Sequence, residues 1–311
     1  MASNDAALTV KNEDTPRGFA FALTAYLLWG VLPLYLKMVA HIDPMEVVAH
    51  RILWSLPIAA AVLFALGRWK DVLVALRTPS MLGMAILTAA LVSCNWLIYV
   101  YAVTSGHALE GALGYYINPL ISILVGSILL KERMQPLQKV AIGLAVIAVA
   151  ILSWEAGGLP WISLGLATSW AFYAFFRKTL PVGPNQGFFL EVLILSAPAL
   201  AYIVFLETAG GGGHFLHGSG AGDVGLLAFS GVATAVPLMI YANGAKLLRL
   251  STIGMMQYIA PTIVFLIAVF LFGEPFNATK LVAFLFIWAG LAAYSWPMIT
   301  DLIRRHKSEF N

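Results

Sequence analysis

Apolar residues run along the chain in stretches of about twenty, parted by short clusters of charged residues, Pro and Gly. A helix needs about 20 apolar residues to cross the hydrocarbon core of a bilayer. Runs of that length fall at about 18–38, 45–67, 80–103, 108–130 and 136–154. Five more fall at about 160–178, 186–206, 224–245, 251–273 and 279–299. Only helices and closed barrels satisfy every backbone polar group inside lipid, and the period-two alternation of a barrel strand is absent. The pattern predicts an all-α membrane protein of ten transmembrane helices.

The two halves of the pattern resemble each other. A shift of 141 residues sets Trp29 on Trp170, Lys37 on Lys178, Ser55 on Ser196 and Pro57 on Pro198. A shift of 142 sets Tyr99 on Tyr241, "YINP" (116–119) on "YIAP" (258–261) and Glu132 on Glu274. Chance matching of apolar runs would pair Leu, Ala and Val rather than Trp, Tyr, Pro and Glu. The chain therefore divides into a tail (1–17), a first repeat (18–154), a second repeat (155–299) and a second tail (300–311). Five spans per repeat is odd, so the second repeat enters the membrane inverted.

Charge tests that inversion. With both termini cytoplasmic, the inner segments hold fifteen of the eighteen Lys and Arg residues, leaving Lys37, Arg51 and Lys280. Lys and Arg concentrate on the cytoplasmic side, which predicts a multi-pass protein of the cell inner membrane in that orientation. The basic "GRWKDVLVALRT" and its counterpart "ETAGGGGHFLHGSGAGD", without Lys or Arg, then lie on opposite sides. Inverted repeats suit a carrier that opens one central site to each side in turn, although some channels share this symmetry.

Composition narrows the classes. The chain is 60% hydrophobic and 11% charged, against about 25% charged in soluble domains. Its mean hydropathy is +0.86. Net charge is +3, and no basic block with interleaved aromatics points to nucleic acid. One cysteine, Cys94, allows no intrachain disulfide. The opening "MASNDAALTVKNEDTPR" lacks the basic and apolar regions of a cleaved signal peptide and is expected to be a disordered tail.

Ionisable residues inside spans usually face the bundle interior or a wet cavity. All six Asp fall outside the expected spans, and His50 is the one His inside one. With Glu46, Arg51 and Glu191 it makes a short list. Glu191 is the repeat-mate of His50, so the two are expected to approach the centre from opposite halves, as a polar contact or a protonation site. Glu46 and Arg51, near a span end, could instead snorkel or pair.

Other candidates sit on single helix faces. Asn95 and Tyr99 share one by their i, i+4 spacing, with Trp96 beside it. Tyr115 and Asn118 follow on the fourth span, Trp170 and Tyr173 on the sixth, Tyr241 and Asn243 on the eighth, and Gln257 on the ninth. Helix packing or an interfacial belt would explain some of these side chains. Asn95, Asn118, Trp170 and Gln257 lie too deep for a belt. Aromatic walls with a few amides suit a small organic molecule better than a bare ion. Prolines 33, 57, 119, 198, 237 and 261 interrupt six spans, as hinges or as plain kinks.

"GAGD" (220–223) imitates an intramembrane aspartyl protease motif without a second intramembrane Asp. "HFLH" (214–217) has metal-like spacing, but it lies in a glycine-rich loop expected to be floppy. No zinc-protease, nucleophile-elbow, P-loop or dinucleotide motif is present, so neither an enzyme nor a bound cofactor or metal is expected.

"AYLLWGVLPLYLK", "AHRILWSL", "GALGYYINPLISILVGSILLKERM" and "TSWAFYAFFRK" resemble the EamA-type, RarD-like members of the drug/metabolite transporter superfamily, over about Gly18 to Trp296. The resemblance implies ten helices in two inverted repeats around a central cavity. It also carries over Trp170 as a cavity residue. An aromatic amino-acid exporter of the superfamily has an aromatic residue where Asn118 stands here, which argues against strictly aromatic selectivity. The expected function is export of amino acids or similar small metabolites by alternating access, by a monomer in the bilayer. A hydrophobic drug exporter is the alternative substrate reading, and an intramembrane enzyme or a receptor the rivals from other classes.

Overall fold

Proline opens five of the long helices, where a missing N–H costs nothing. The computed structural model describes residues 15–129, 136–179, 181–208, 212–217, 220–245, 247–248 and 256–309. Among them are twelve α-helices. The first six are α1 (Pro16–Met38), α2 (Pro44–Leu66), α3 (Trp69–Arg77), α4 (Pro79–Thr104), α5 (Ala108–Leu129) and α6 (Pro136–Ala156). Then come α7 (Trp161–Thr179), α8 (Pro184–Thr208), α9 (His214–His217), α10 (Ala221–Ala245), α11 (Ile259–Leu266) and α12 (Ala278–Glu309). A π-helical turn, Ile267–Leu271, continues α11.

Local chemistry fixes the ends. The Thr15 hydroxyl accepts from the Gly18 N–H at the start of α1, and the Asp43 carboxylate accepts from Met45 and Glu46 at the start of α2. Such caps replace partners that the first turn of a helix cannot supply. Gly67 ends α2 with φ 64°, a left-handed turn that favours glycine.

Among the described residues seven helices are long and apolar enough to cross a membrane: α1, α2, α4, α6 and α8, with Gly222–Tyr241 of α10 and Ala278–Trp296 of α12. This is an all-helical membrane protein. The runs expected at 108–130 and 160–178 form α5 and α7, while the ninth run contains the shorter apolar helix Ile259–Leu271. Residues 251–255 of that run lie outside the described residues.

Three details depart from the sequence expectation. The basic segment after α2 folds as α3, whose Val72 and Ala75 are buried. The last helix continues to Glu309 instead of stopping at 299. Helix α10 begins three residues early, so buried Asp223 sits in its first turn rather than in a loop.

The bundle is built from close pairs. Helix α1 packs on α10 and α11, α2 on α8 and α10, α4 on α7 and α8, α5 on α7 and α11, and α6 on α12. Glycine permits the tightest crossings. A Cβ on Gly231 would overlap the Trp54 backbone where α10 meets α2. One on Gly114 would lie 2.8 Å from the Ser163 carbonyl oxygen, and one on Gly30 would lie 2.7 Å from Ile263. Small residues let membrane helices approach where no hydrophobic force drives them together.

Gly231→Ala should therefore destabilise the detergent-solubilised protein by about 1–3 kcal/mol, the usual cost of overpacking. Gly143→Ala, whose Cβ would meet nothing within 4 Å, should leave thermal stability unchanged. Melting followed by size-exclusion chromatography checks both.

Candidate functional site

Helix α2 brings three ionisable side chains into the protein within two turns, and each takes a different direction. Glu46 accepts from the His214 N–H (2.6 Å) and faces His214 Nδ1 at 2.9 Å. His50, one turn on, is 3% exposed and stacks on Phe215 with centroids 5.0 Å apart. Its ring nitrogens meet no hydrogen-bond partner among the described residues. Arg51 is the next residue, rotated about 100° around the helix, and it enters a central cavity. Its Nε donates to Thr234 Oγ1 at 2.9 Å, and its guanidinium lies 5.3 Å from the Trp96 ring centroid.

The cavity measures about 140 Å³ and draws on seven helices and on Gln257 just before α11. That is the scale of a pocket that takes a single benzene ring. Helix α1 supplies Tyr26 and Trp29, which with Tyr241 of α10 form an aromatic cluster with centroids 5.3–5.7 Å apart. Helix α4 supplies Asn95, Trp96 and Tyr99, α5 supplies Tyr115 and Asn118, and α7 supplies Trp170. Thr234 and Leu238 of α10 line it too, as do Ala260, Pro261 and Val264 of α11.

Hydrogen bonds hold this wall in place. Asn95 Nδ2 donates to the Leu166 carbonyl (3.1 Å) and to Ser169 Oγ (3.0 Å), and Asn95 Oδ1 accepts from the Tyr115 hydroxyl at 3.3 Å. The Ser122 hydroxyl donates to Asn118 Oδ1 at 3.4 Å. Asn95 thus ties α4, α5 and α7 together while presenting a face to the cavity.

Eight of the twelve candidates line this one cavity: Asn95, Trp96, Tyr99, Tyr115, Asn118, Trp170, Tyr241 and Gln257. The other four lie elsewhere. His50 faces Phe215. Glu191, fully buried, sits 3.4 Å from Arg177 Nε and accepts from the Tyr173 hydroxyl at 3.2 Å. Asn243 is exposed, and its amide donates to the Met239 carbonyl. His50 and Glu191 therefore do not meet in the cavity. Tyr26, Trp29 and Arg51 were not among the twelve. Trp29 had a signal in its alignment with Trp170, and Tyr26 lies one helical turn before it.

A second polar cluster closes one end of the bundle. His41 Nε2 lies 3.0 Å from Asp223 Oδ1, beside the Glu46–His214 contact. His217 Nδ1 lies 2.7 Å from Glu207 Oε2, and Glu207 Oε1 accepts from the Phe215 N–H at 3.0 Å. The "HFLH" segment is thus a bound helical turn in place of the floppy loop expected. Among the described residues no group of three or more His, Cys, Asp or Glu could hold a metal ion. Nearby, Glu274 accepts from the N–H groups of Ala108 (2.7 Å) and Leu109 (2.8 Å). Burial raises the Glu274 pKa above its ordinary value, against the lowering by those two N–H groups.

Comparison with known proteins agrees with this architecture. Residues 16–154 match the EamA-like transporter family. The chain is 41% identical to Protein RarD of Salmonella typhi over 91% of its own length and 95% of that protein. It is 36% identical to an uncharacterized transporter of Vibrio cholerae, covering 93% of this chain and 95% of that one. A crystal structure of 22% identity superposes with a TM-score of 0.55 over 93% of this chain and 98% of its own, a likeness of fold alone. The family is one of transporters, not of enzymes. The chain belongs to the RarD-like transporters of the EamA family, in the drug/metabolite transporter superfamily.

Proposed function

We propose that this transporter exports amino acids or similar small metabolites across the cell inner membrane, as a monomer, by alternating access between two inverted repeats. The observation that carries the proposal is the central cavity. Its aromatic and amide wall comes from α1, α4 and α5 on one side of the sequence and from α7, α10 and the Gln257–Val264 segment on the other. A site walled by both halves changes its access when one half rocks on the other.

The helix contacts support the repeat. In this reading α5, α7 and the α11 segment complete ten spans, with 18–154 and 155–299 as the repeats. Exchanging the halves turns α1 on α10 into α7 on α4, α2 on α10 into α8 on α4, and α5 on α7 into α11 on α1. The remaining pairs, α2 with α8, α5 with α11 and α6 with α12, map onto themselves. That exchange is what a pseudo-two-fold axis in the membrane plane requires. The His41–Asp223, Glu46–His214 and Glu274 contacts join the halves at the end assigned to the outside. The termini, 1–17 and 300–311, lie on the cytoplasmic side by the distribution of Lys and Arg.

Two experiments test this. In proteoliposomes, Trp170→Ala should reduce L-phenylalanine flux roughly ten- to hundredfold, the loss of about 1–3 kcal/mol of contact for a buried side chain. Unchanged flux in a correctly inserted variant would make Trp170 a packing residue. Topology has a separate test. Lys70 and Gly212 are exposed repeat-mates. In a Cys94→Ser background, Gly212→Cys should react with an impermeant thiol reagent from the periplasmic side and Lys70→Cys only after the membrane is opened. Reaction of both from the same side would overturn the inversion.

A further inference from the structure

We propose that Arg51 makes the central cavity a carboxylate-reading site: the transported molecule carries a carboxylate that pairs with the guanidinium, with its apolar part against the aromatic wall. This inference rests on the transporter reading above and names the substrate chemistry of the same cavity.

Arg51 is 4% exposed, and its Nη1 has no hydrogen-bond partner among the described residues. A guanidinium has five N–H donors and stays charged. Here Nε is taken by Thr234 and one face by Trp96. Burying a charge without a counter-charge costs several kcal/mol, so an arginine kept only for structure would be given a carboxylate. Among the described residues none lies within ion-pairing distance. The buried acids are committed elsewhere: Glu46 to His214, Glu191 to Arg177, Asp223 to His41, and Glu274 to the start of α5. Among the described residues Arg51 alone lines the cavity as a charge. A planar carboxylate matches the guanidinium edge in both charge and geometry.

The same wall says what the site does not require. Among the described residues no Asp or Glu lines the cavity, so a substrate ammonium group finds no counter-charge from them. The carboxylate is the essential feature and the amine is dispensable. A volume of about 140 Å³ is the scale of one ring, so it limits the apolar part to a single ring-sized group. Trp29 and Trp170 are placed to receive it.

Three probes of one shape separate these features: L-phenylalanine, 3-phenylpropionate and phenethylamine. Titration calorimetry on the purified wild-type protein in nanodiscs should show both carboxylates binding at least tenfold tighter than the amine. Arg51→Gln should lose at least tenfold for the carboxylates and change little for phenethylamine. Arg51→Lys, which keeps the charge without the planar edge, should fall between. Equal binding of the amine by the wild type, or unchanged carboxylate binding by a folded Arg51→Gln variant, would overturn the inference. The wild-type comparison decides even if Arg51→Gln fails to fold. Flux of phenethylamine in proteoliposomes, lost in Trp170→Ala, would leave the transporter reading standing and sink this one. Binding of no probe to the wild type would also sink it, and the Trp170 flux assay would then judge the transporter reading separately.

Discussion

A hydrocarbon solvent offers no hydrogen bonds, and that constraint governs this molecule. Each buried polar group has to find its partner within the protein. The outcome is visible residue by residue: Asn95 satisfies a carbonyl, a serine and a tyrosine at once, and Glu46 takes both a backbone N–H and a histidine ring. Such bonds join helices distant in sequence, so satisfying polarity also sets how the helices are arranged. Against that background Arg51, which lines the central cavity, keeps a donor with no partner among the described residues, as do the ring nitrogens of His50.

The same constraint explains why the polar ties gather where they do. Contacts among α2, the α1–α2 connection, α9 and α10 use His–carboxylate pairs with one member more exposed, such as His41 at 47% against Asp223 at 7% in side-chain exposure. Such a pair keeps water at hand when it breaks, so parting it costs less than parting a fully buried pair. Arg177–Glu191 is the contrasting case, with a fully buried carboxylate between α7 and α8.

Much of this could be read from the sequence because lipid makes composition speak plainly. Long apolar runs located the helices, and deep amides and aromatics located most of the cavity wall. Helix α3 was harder to see, since nine residues with two buried positions do not rise above the pattern of a basic loop. The bound state of His214 and His217 was hidden because their partners, Glu46 and Glu207, are distant in sequence or lie across a glycine-rich stretch. Tyr26 and Trp29 show a different gap. An aromatic in a first span looks like packing until Trp29 is aligned with Trp170.

His50 and Arg51 carry the last step. Adjacent residues on a helix point about 100° apart, so a short polar stretch can serve two regions at once. His50 stacks on Phe215 of the turn that closes one end of the bundle, and Phe215 is held through its N–H by Glu207. Arg51 faces the cavity and reaches across to Thr234 of α10. One turn of α2 therefore touches both the end closure and the central site, and it does so as a rigid unit. A rotation of that turn that reoriented Arg51 would also shift His50 beneath the closure. The polar residues at the head of α2 are the cost of that shared position, and they stand on a helix that packs against both α8 and α10.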